Sequence, residues 1–541
     1  VVIHYIQYII ICVCLHSLVF NSLLSLQDVR FLFPFIYFLF STMSEFSIGV
    51  WFSTLGFIAW LCCLGLVQGG KVLVVPADGS HWLSMKILVK ELYHRGHEIL
   101  VLVPETSSVI HGSESYKTEV YPVPYTKEEL YQKFDRLEDD VFRKSSRMTE
   151  LHNNVQLFID YTSIQVNGCE RVLNNQSLMT RLRKEVFDLV LTDPVLPCSS
   201  ILANVFSIPT VYFLRGLLCD LDLQASQCPS PPSYVPAYFS GNTDIMTFPQ
   251  RVTNMAMSFM QPYVCKMTFR HFDDLVSRYL ENKTTYKDLL SHGAVWLLRY
   301  DFTFEWPRPL MPNMVSIGGI NCAKKAPLPD LEEFVNGPGE DGFIIFTLGS
   351  MLHNMPEEKA KQFFDMLLFL VEVLWRYTGW LPQNDLLGVL KSSSPMVEPT
   401  VSTRVSVMLC PFPLFGDQLD NVHRMVRNMD VYLNEYSLFT LQLWYFLSYK
   451  EKVVELSQVH LDRPVEPLDT AVFWTEFVMR HKGAAHLRVS AHDLNWIQYH
   501  SLDVIGFLII ILLTVLFVTV KCCLFCTRKC CRHGAAKRKS E

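Results

Sequence analysis

Short unbroken apolar runs alternate along this chain with stretches of helical period. Residues 71–76 (Lys71-Val72-Leu73-Val74-Val75-Pro76) form such a run, the pattern of a parallel strand buried on both faces. Asp78-Gly79-Ser80 follows as a turn in which Ser80 is placed to cap a helix. Residues 81–95 carry Leu83, Ile87, Leu88 and Leu92 near helical spacing, and Gly96 stops them. Residues 99–103 predict the next strand, so the segment reads as a βαβ unit. Further strands are expected at 186–192, ending in Asp193-Pro194, and at 211–214.

Residues 322–342, rich in proline, glycine and acid, read as a linker. The pattern then restarts with a strand at 343–348, the turn Gly349-Ser350, a helix opened by Pro356-Glu357-Glu358 and a strand near 371–377. The expected organisation is therefore two doubly wound α/β domains, 70–321 and 343–500.

The ends differ from this middle. Residues 1–42 are apolar but irregular and read as a segment upstream of the true start, with an additional membrane helix as the other reading. From Met43, residues 43–69 resemble a signal peptide ending in Val67-Gln68-Gly69. Residues 503–520 predict a transmembrane helix, whose apolar stretch 504–520 spans roughly 25 Å. Trp496 and Tyr499 stand where an interfacial belt belongs, and the basic tail 521–541 sets a cytosolic C-terminus. The expected topology is single-pass type I with its bulk in a lumen. Lysines third and fifth from the end (Lys539, Lys537) resemble an endoplasmic reticulum retrieval address. Asn175 and Asn282 head glycosylation sequons.

Composition narrows the function. Only 18% of the residues are charged and half are hydrophobic, which excludes a disordered chain. A net charge of -6 supplies no basic field for nucleic acid. A mean hydropathy of +0.20 fits the membrane segments. Sixteen cysteines among 541 residues are too sparse for a small disulfide scaffold. No dinucleotide, Walker, zincin or nucleophile-elbow motif occurs.

Ligands of open α/β sheets bind at the carboxyl ends of the strands. His81 holds that position after the first strand and Asp193 after a later one. A carboxylate on one ring nitrogen of a histidine orients the other as a base for an alcohol or phenol. By spacing alone the pairing stays open, with a surface histidine as the other reading.

Residues 78–85 (DGSHWLSM) and Leu191-Thr192-Asp193-Pro194 resemble the acceptor-domain motifs of the UDP-glucuronosyltransferases. So do residues 346–350 (FTLGS), 380–388 (WLPQNDLLG) and 413–418 (PLFGDQ), and residues 459–529 resemble the vertebrate drug-metabolising branch. The resemblance implies a two-domain GT-B fold with inverting transfer of glucuronic acid from UDP-glucuronate, a co-substrate, to small lipophilic acceptors. It implies His81 as the base and Asp193 as its partner. Trp380 is implied to stack on uracil beside Gln383, Ser350 to face the diphosphate, and Asp417 and Gln418 to hold sugar hydroxyls. It implies no metal and no further cofactor, an endoplasmic reticulum membrane setting and homo- or hetero-oligomers.

The chain departs from the family in the donor half. A His-Pro and a His-Gly-Gly turn are expected after 380–388; here no glycine occurs between Gly388 and Gly416. A loop and strand before Trp380 are missing, and residues 430–447 are aromatic where the family has a charged helix. Besides the active enzyme, two readings follow: a non-catalytic or defective relative that binds acceptors or oligomerises with active relatives, and a transferase for another UDP-sugar.

Overall fold

The computed structural model describes residues 69–130, 147–238, 240–280, 284–322 and 455–537, together with Glu357, Glu358, Lys361 and Arg424. The expected upstream segment, the expected signal segment before Gly69, the linker after residue 322, residues 343–454 of the expected second α/β domain apart from the four residues just named, and Lys539 of the lysine signal lie outside the described residues. Of the helix expected after Pro356, the described Glu357, Glu358 and Lys361 are helical.

The first half begins with β1 (Lys71–Val75), α1 (Ser80–His94), β2 (Glu98–Pro104) and β3 (Lys117–Tyr121). A long helix α2 (Arg147–Asn174) and α3 (Gln176–Lys184) lead to β4 (Leu189–Thr192), α4 (Pro197–Phe206) and β5 (Thr210–Leu214). After α5 (Leu221–Ala225) come α6 (Phe248–Thr268), α7 (Arg270–Tyr279), α8 (Tyr286–Leu290), β6 (Val295–Leu298) and β7 (Met314–Ser316). The chain closes with α9 (Pro467–His481), α10 (Trp496–Tyr499) and α11 (Leu502–Lys537).

Among the described residues the seven strands form one parallel sheet, in the order β3-β2-β1-β4-β5-β6-β7. The continuous apolar runs of β1, β4, β5 and β6 follow from this topology, because helices cover both faces. Leu73, Val75, Val190, Tyr212 and Trp296 face one buried layer with α2, α4, α7 and α8. Val72, Val74, Leu191, Phe213 and Leu297 face the other, with α1 and α9. Strand order reverses between β1 and β4, which makes that junction the switch point where a crevice opens.

Two local expectations change. Gly79, at φ 72°, takes the cap position of α1 without a side-chain bond, and Ser80 opens the helix instead of capping it. The turn needs a residue outside ordinary L-geometry there, which glycine supplies. The strand expected from 186 begins only at Leu189, because Val186 lies in a left-handed turn (φ 48°) and is 78% exposed. Asp188 enters that strand by accepting the Lys71 amide at 2.9 Å and pairing with Lys482. At the other end of α1, Gly96 and His97 donate to Tyr93 and Leu92 carbonyls, closing the helix as its glycine foretells.

Helix α9 follows the expected second domain in sequence yet packs on the first. Ala471, Val472, Val478 and Met479 join the α1 layer, and Arg95 and His97 pair with Asp469 and Glu476. Beyond it, α11 runs well past the expected end at 520. Its stretch Leu502–Lys529, with an 18-residue window of mean hydropathy 2.8 of which none is buried, is long and apolar enough to cross a membrane.

Candidate active site

Two loops meet at the switch point. After β1, Asp78 accepts the Gly79 amide through Oδ1 at 2.9 Å and the Ser108 amide through Oδ2 at 2.8 Å. That fixes the turn that presents His81 in the first turn of α1. After β4, the Thr192 hydroxyl donates to the Val75 carbonyl at 2.7 Å, tying the ends of the two strands together. Asp193 is the next residue.

His81 Nδ1 lies 2.5 Å from Asp193 Oδ2. Asp193 is 2% exposed at its side chain, while His81 is 38% exposed. The remaining carboxylate oxygen of Asp193 accepts the Val195 amide at 3.0 Å. The buried hydroxyl of Tyr286 donates to the Pro194 carbonyl and holds the corner from behind. A carboxylate fixed on two sides makes Nδ1 the donor and leaves Nε2 as the acceptor. In that tautomer the ring can take a proton from a hydroxyl group, and the buried carboxylate balances the resulting charge.

A group of three tyrosines reaches the pair through Tyr161. Burial first, and then the charge of Asp193, raises the Tyr161 phenol well above its ordinary value, with Tyr125 and Asp78 adding to the effect. Burial pushes Tyr125 up to about 12, against a hydrogen bond to Thr106 that lowers it. Burial also raises Tyr121. All three therefore stay neutral across the physiological range.

Sequence reasoning did not single these tyrosines out. They lie on β3, in the loop after it and on α2, within the segment 120–174 where the pattern carries no readable code. Nor did it find Tyr286, whose role depends on a contact ninety-two residues away in sequence.

The other expected site residues stand as follows. Asn175 caps α3, accepting the Leu178 amide at 3.1 Å. Ser350, Trp380, Gln383, Asp417, Gln418 and Asn282 lie outside the described residues. Among the described residues no group of three or more His, Cys, Asp or Glu side chains is placed to hold a metal ion.

Fold and site together define an α/β protein with a carboxylate-oriented histidine at the switch point of a parallel sheet. The chain belongs to the UDP-glucoronosyl and UDP-glucosyl transferase family, which it matches over residues 70–538. It is 54% identical over 474 residues to a UDP-glucuronosyltransferase of Pleuronectes platessa, covering 81% of this chain and 100% of that one. It is 45% identical over 487 residues to UDP-glucuronosyltransferase 1A1 of Homo sapiens, covering 84% of this chain and 91% of that one. Among solved structures, Arabidopsis thaliana UGT89C1 is similar at a TM-score of 0.40 and 14% identity, over 76% of this chain and 100% of that one.

Proposed function

We propose that the chain transfers glucuronic acid from UDP-glucuronate to hydroxyl groups of small lipophilic acceptors, with inversion at the sugar carbon. The observation that carries this reading is the 2.5 Å contact between His81 and Asp193 at the switch point, inside the stretch that matches the family. His81 Nε2 takes the acceptor proton as the oxygen attacks, Asp193 balances the imidazolium, and UDP leaves. The tyrosines of β3 and α2 give the acceptor pocket its lipophilic walls. Trp380 and Gln383 hold the uracil, Ser350 faces the diphosphate, and Asp417 and Gln418 hold the sugar. No metal or further cofactor takes part. The chain is anchored by α11 in the endoplasmic reticulum membrane with its catalytic bulk in the lumen, Asn175 and Asn282 being glycosylated there. The disulfides Cys169–Cys198 and Cys219–Cys265 support an oxidising compartment.

The full chain in microsomal membranes, given millimolar UDP-glucuronate and a simple phenol, tests this reading. Loss of a general base costs a factor of about 10² to 10⁴ in turnover. His81→Ala should show that loss with acceptor binding retained; near-normal turnover would return His81 to the surface residues.

A further inference from the structure

A row of thiols follows the apolar stretch of α11. The helix continues without a break from Leu502 to Lys537, and residues 521–529 within it are exposed. Cys522, Cys523 and Cys526 stand there as free, exposed cysteines. The disulfide-bonded cysteines all belong to the α/β part, as Cys169–Cys198 and Cys219–Cys265. With about 100° between successive residues, the three thiols fall within an arc of about 100° on one side of the helix. By the same count Lys521 and Arg528 fall on the opposite side. Lys521 Nζ stands 5.4 Å over the Phe517 ring, and Lys529 Nζ stands 5.8 Å over the Phe525 ring. Both lysines therefore lie back along the helix on a ring one turn before them.

Depth decides what such thiols can do. At roughly 1.5 Å per residue, Cys522 stands about 27 Å along the helix from Val504, and Cys526 about 33 Å. The hydrocarbon core of a bilayer is about 30 Å thick. In a membrane-spanning α11 the thiols therefore bracket the boundary between hydrocarbon and headgroups, where the basic residues Lys521, Arg528 and Lys529 also begin. A thiol at that depth meets reagents from the adjoining water, and an apolar group attached to it can lie back into the hydrocarbon. Metal binding is the other use of clustered cysteines. Among the described residues no group of three or more His, Cys, Asp or Glu side chains is placed for it.

We propose that Cys522, Cys523 and Cys526 are sites of S-acylation by a long-chain fatty acyl thioester. The proposal rests on the membrane placement and orientation proposed above, and not on the transfer reaction. Each Sγ attacks the carbonyl carbon of the thioester. A new carbon–sulfur bond forms as the bond to the carrier sulfur breaks, and the cysteine's proton leaves with the carrier thiol. Nothing is oxidised or reduced. The acyl groups then lie against the uncharged side of α11, away from Lys521 and Arg528. They lengthen an apolar stretch that by itself spans only roughly 25 Å. Cysteines next to a membrane span are the usual substrates of this modification.

The full chain expressed in eukaryotic cells fed an alkynyl analogue of palmitate tests this. The chain should carry the probe and release it to neutral hydroxylamine, which cleaves thioesters. Cys522→Ser, Cys523→Ser and Cys526→Ser together should abolish the label, whereas Cys530→Ser with Cys531→Ser should keep it. Free thiols can also be blocked, the thioesters cleaved, and the thiols so released tagged with a large maleimide. That should add up to three mass steps, and each single serine variant should remove one. The triple variant should resist alkaline extraction from the membrane as the parent does, so that its loss of label is not a loss of insertion. A parent without hydroxylamine-sensitive label, or a label that survives in the triple variant, would overturn the proposal. Protease added to sealed microsomes separates the two readings. An unlabelled chain whose tail is cut overturns acylation alone; an unlabelled chain whose tail is protected overturns the orientation as well.

Discussion

At the scale of the residue, the site depends on what stands behind each group. The half-buried ring of His81 is placed by a buried carboxylate, and that carboxylate by an amide and the Pro194 corner. A different buried acid pulls against the fold. Asp222, 1% exposed, accepts the Leu217 amide at 3.2 Å through Oδ1, while Oδ2 is buried without a hydrogen-bond partner. Burial, and then the charge of Asp220, raises it from 3.8 to about 7. A carboxyl whose folded value is raised supports the fold fully below the unfolded value, and that support is lost as pH rises through the folded one. Asp222→Asn stays neutral and keeps an acceptor for Leu217. Its gain in melting temperature over the parent should grow from pH 5 to pH 7.5 and level off above about 8; a gap independent of pH would contradict the assignment. His81 and Asp193 were legible because a strand run ends immediately before each loop. Asp222 was not, since its burial arises from packing between the loops after β5 and β6.

At the scale of the element, covalent ties matter most where the backbone is least comfortable. Cys219 (φ 52°) and Asp220 (φ 54°) are consecutive left-handed residues without glycine, a conformation that costs roughly 1 kcal/mol or more each. The disulfide from Cys219 to Cys265 on α6 pins that turn across a separation of 46 residues. Closing a loop of this size contributes roughly 4 kcal/mol in the chain-entropy account. Cys265→Ser should lower the melting temperature by several degrees and open a protease site near Cys219, and an unchanged melting curve would show the tie to be idle. Cysteine pairing could not be read from sixteen cysteines in sequence, whereas β1, α1, β2 and β5 could, because their periods are clean. The donor half offers the opposite test. A diphosphate is met by backbone amides at a glycine-opened helix start, and residues 389–415 have no glycine. Calorimetry should find UDP binding weaker by at least about tenfold than in a chain with a His-Gly-Gly turn grafted there. Micromolar binding by the parent chain would refute this.

At the scale of the whole molecule, the first sheet was largely legible and its partners were not. Continuous apolar strands and glycine stops announce a parallel α/β domain. Nothing local announces that α9 returns to it, since Ala471, Val472, Val478 and Met479 read as any helix face until α1 is beside them. The proposed orientation in the membrane rests on charge: basic residues gather after the apolar stretch of α11. Protease added to intact microsomes should therefore remove only a short C-terminal tail. A protected tail with a digested bulk would reverse the topology.

The return of α9 also decides where the chain departs for the membrane. Its end is tied by Lys482 to Asp188, beside the start of β1 and β4. Departure is thus at the amino edge of the sheet, while His81 and Asp193 stand at the carboxyl edge. On the function proposed above, a greasy phenol dissolved in the bilayer is expected to reach the base through water. Lipid then acts as a competing solvent, and the concentration that counts at the site is the aqueous one. Adding phospholipid at fixed total acceptor would dilute the enzyme's supply in proportion to how strongly each acceptor partitions, so the most lipophilic compounds would lose the most rate.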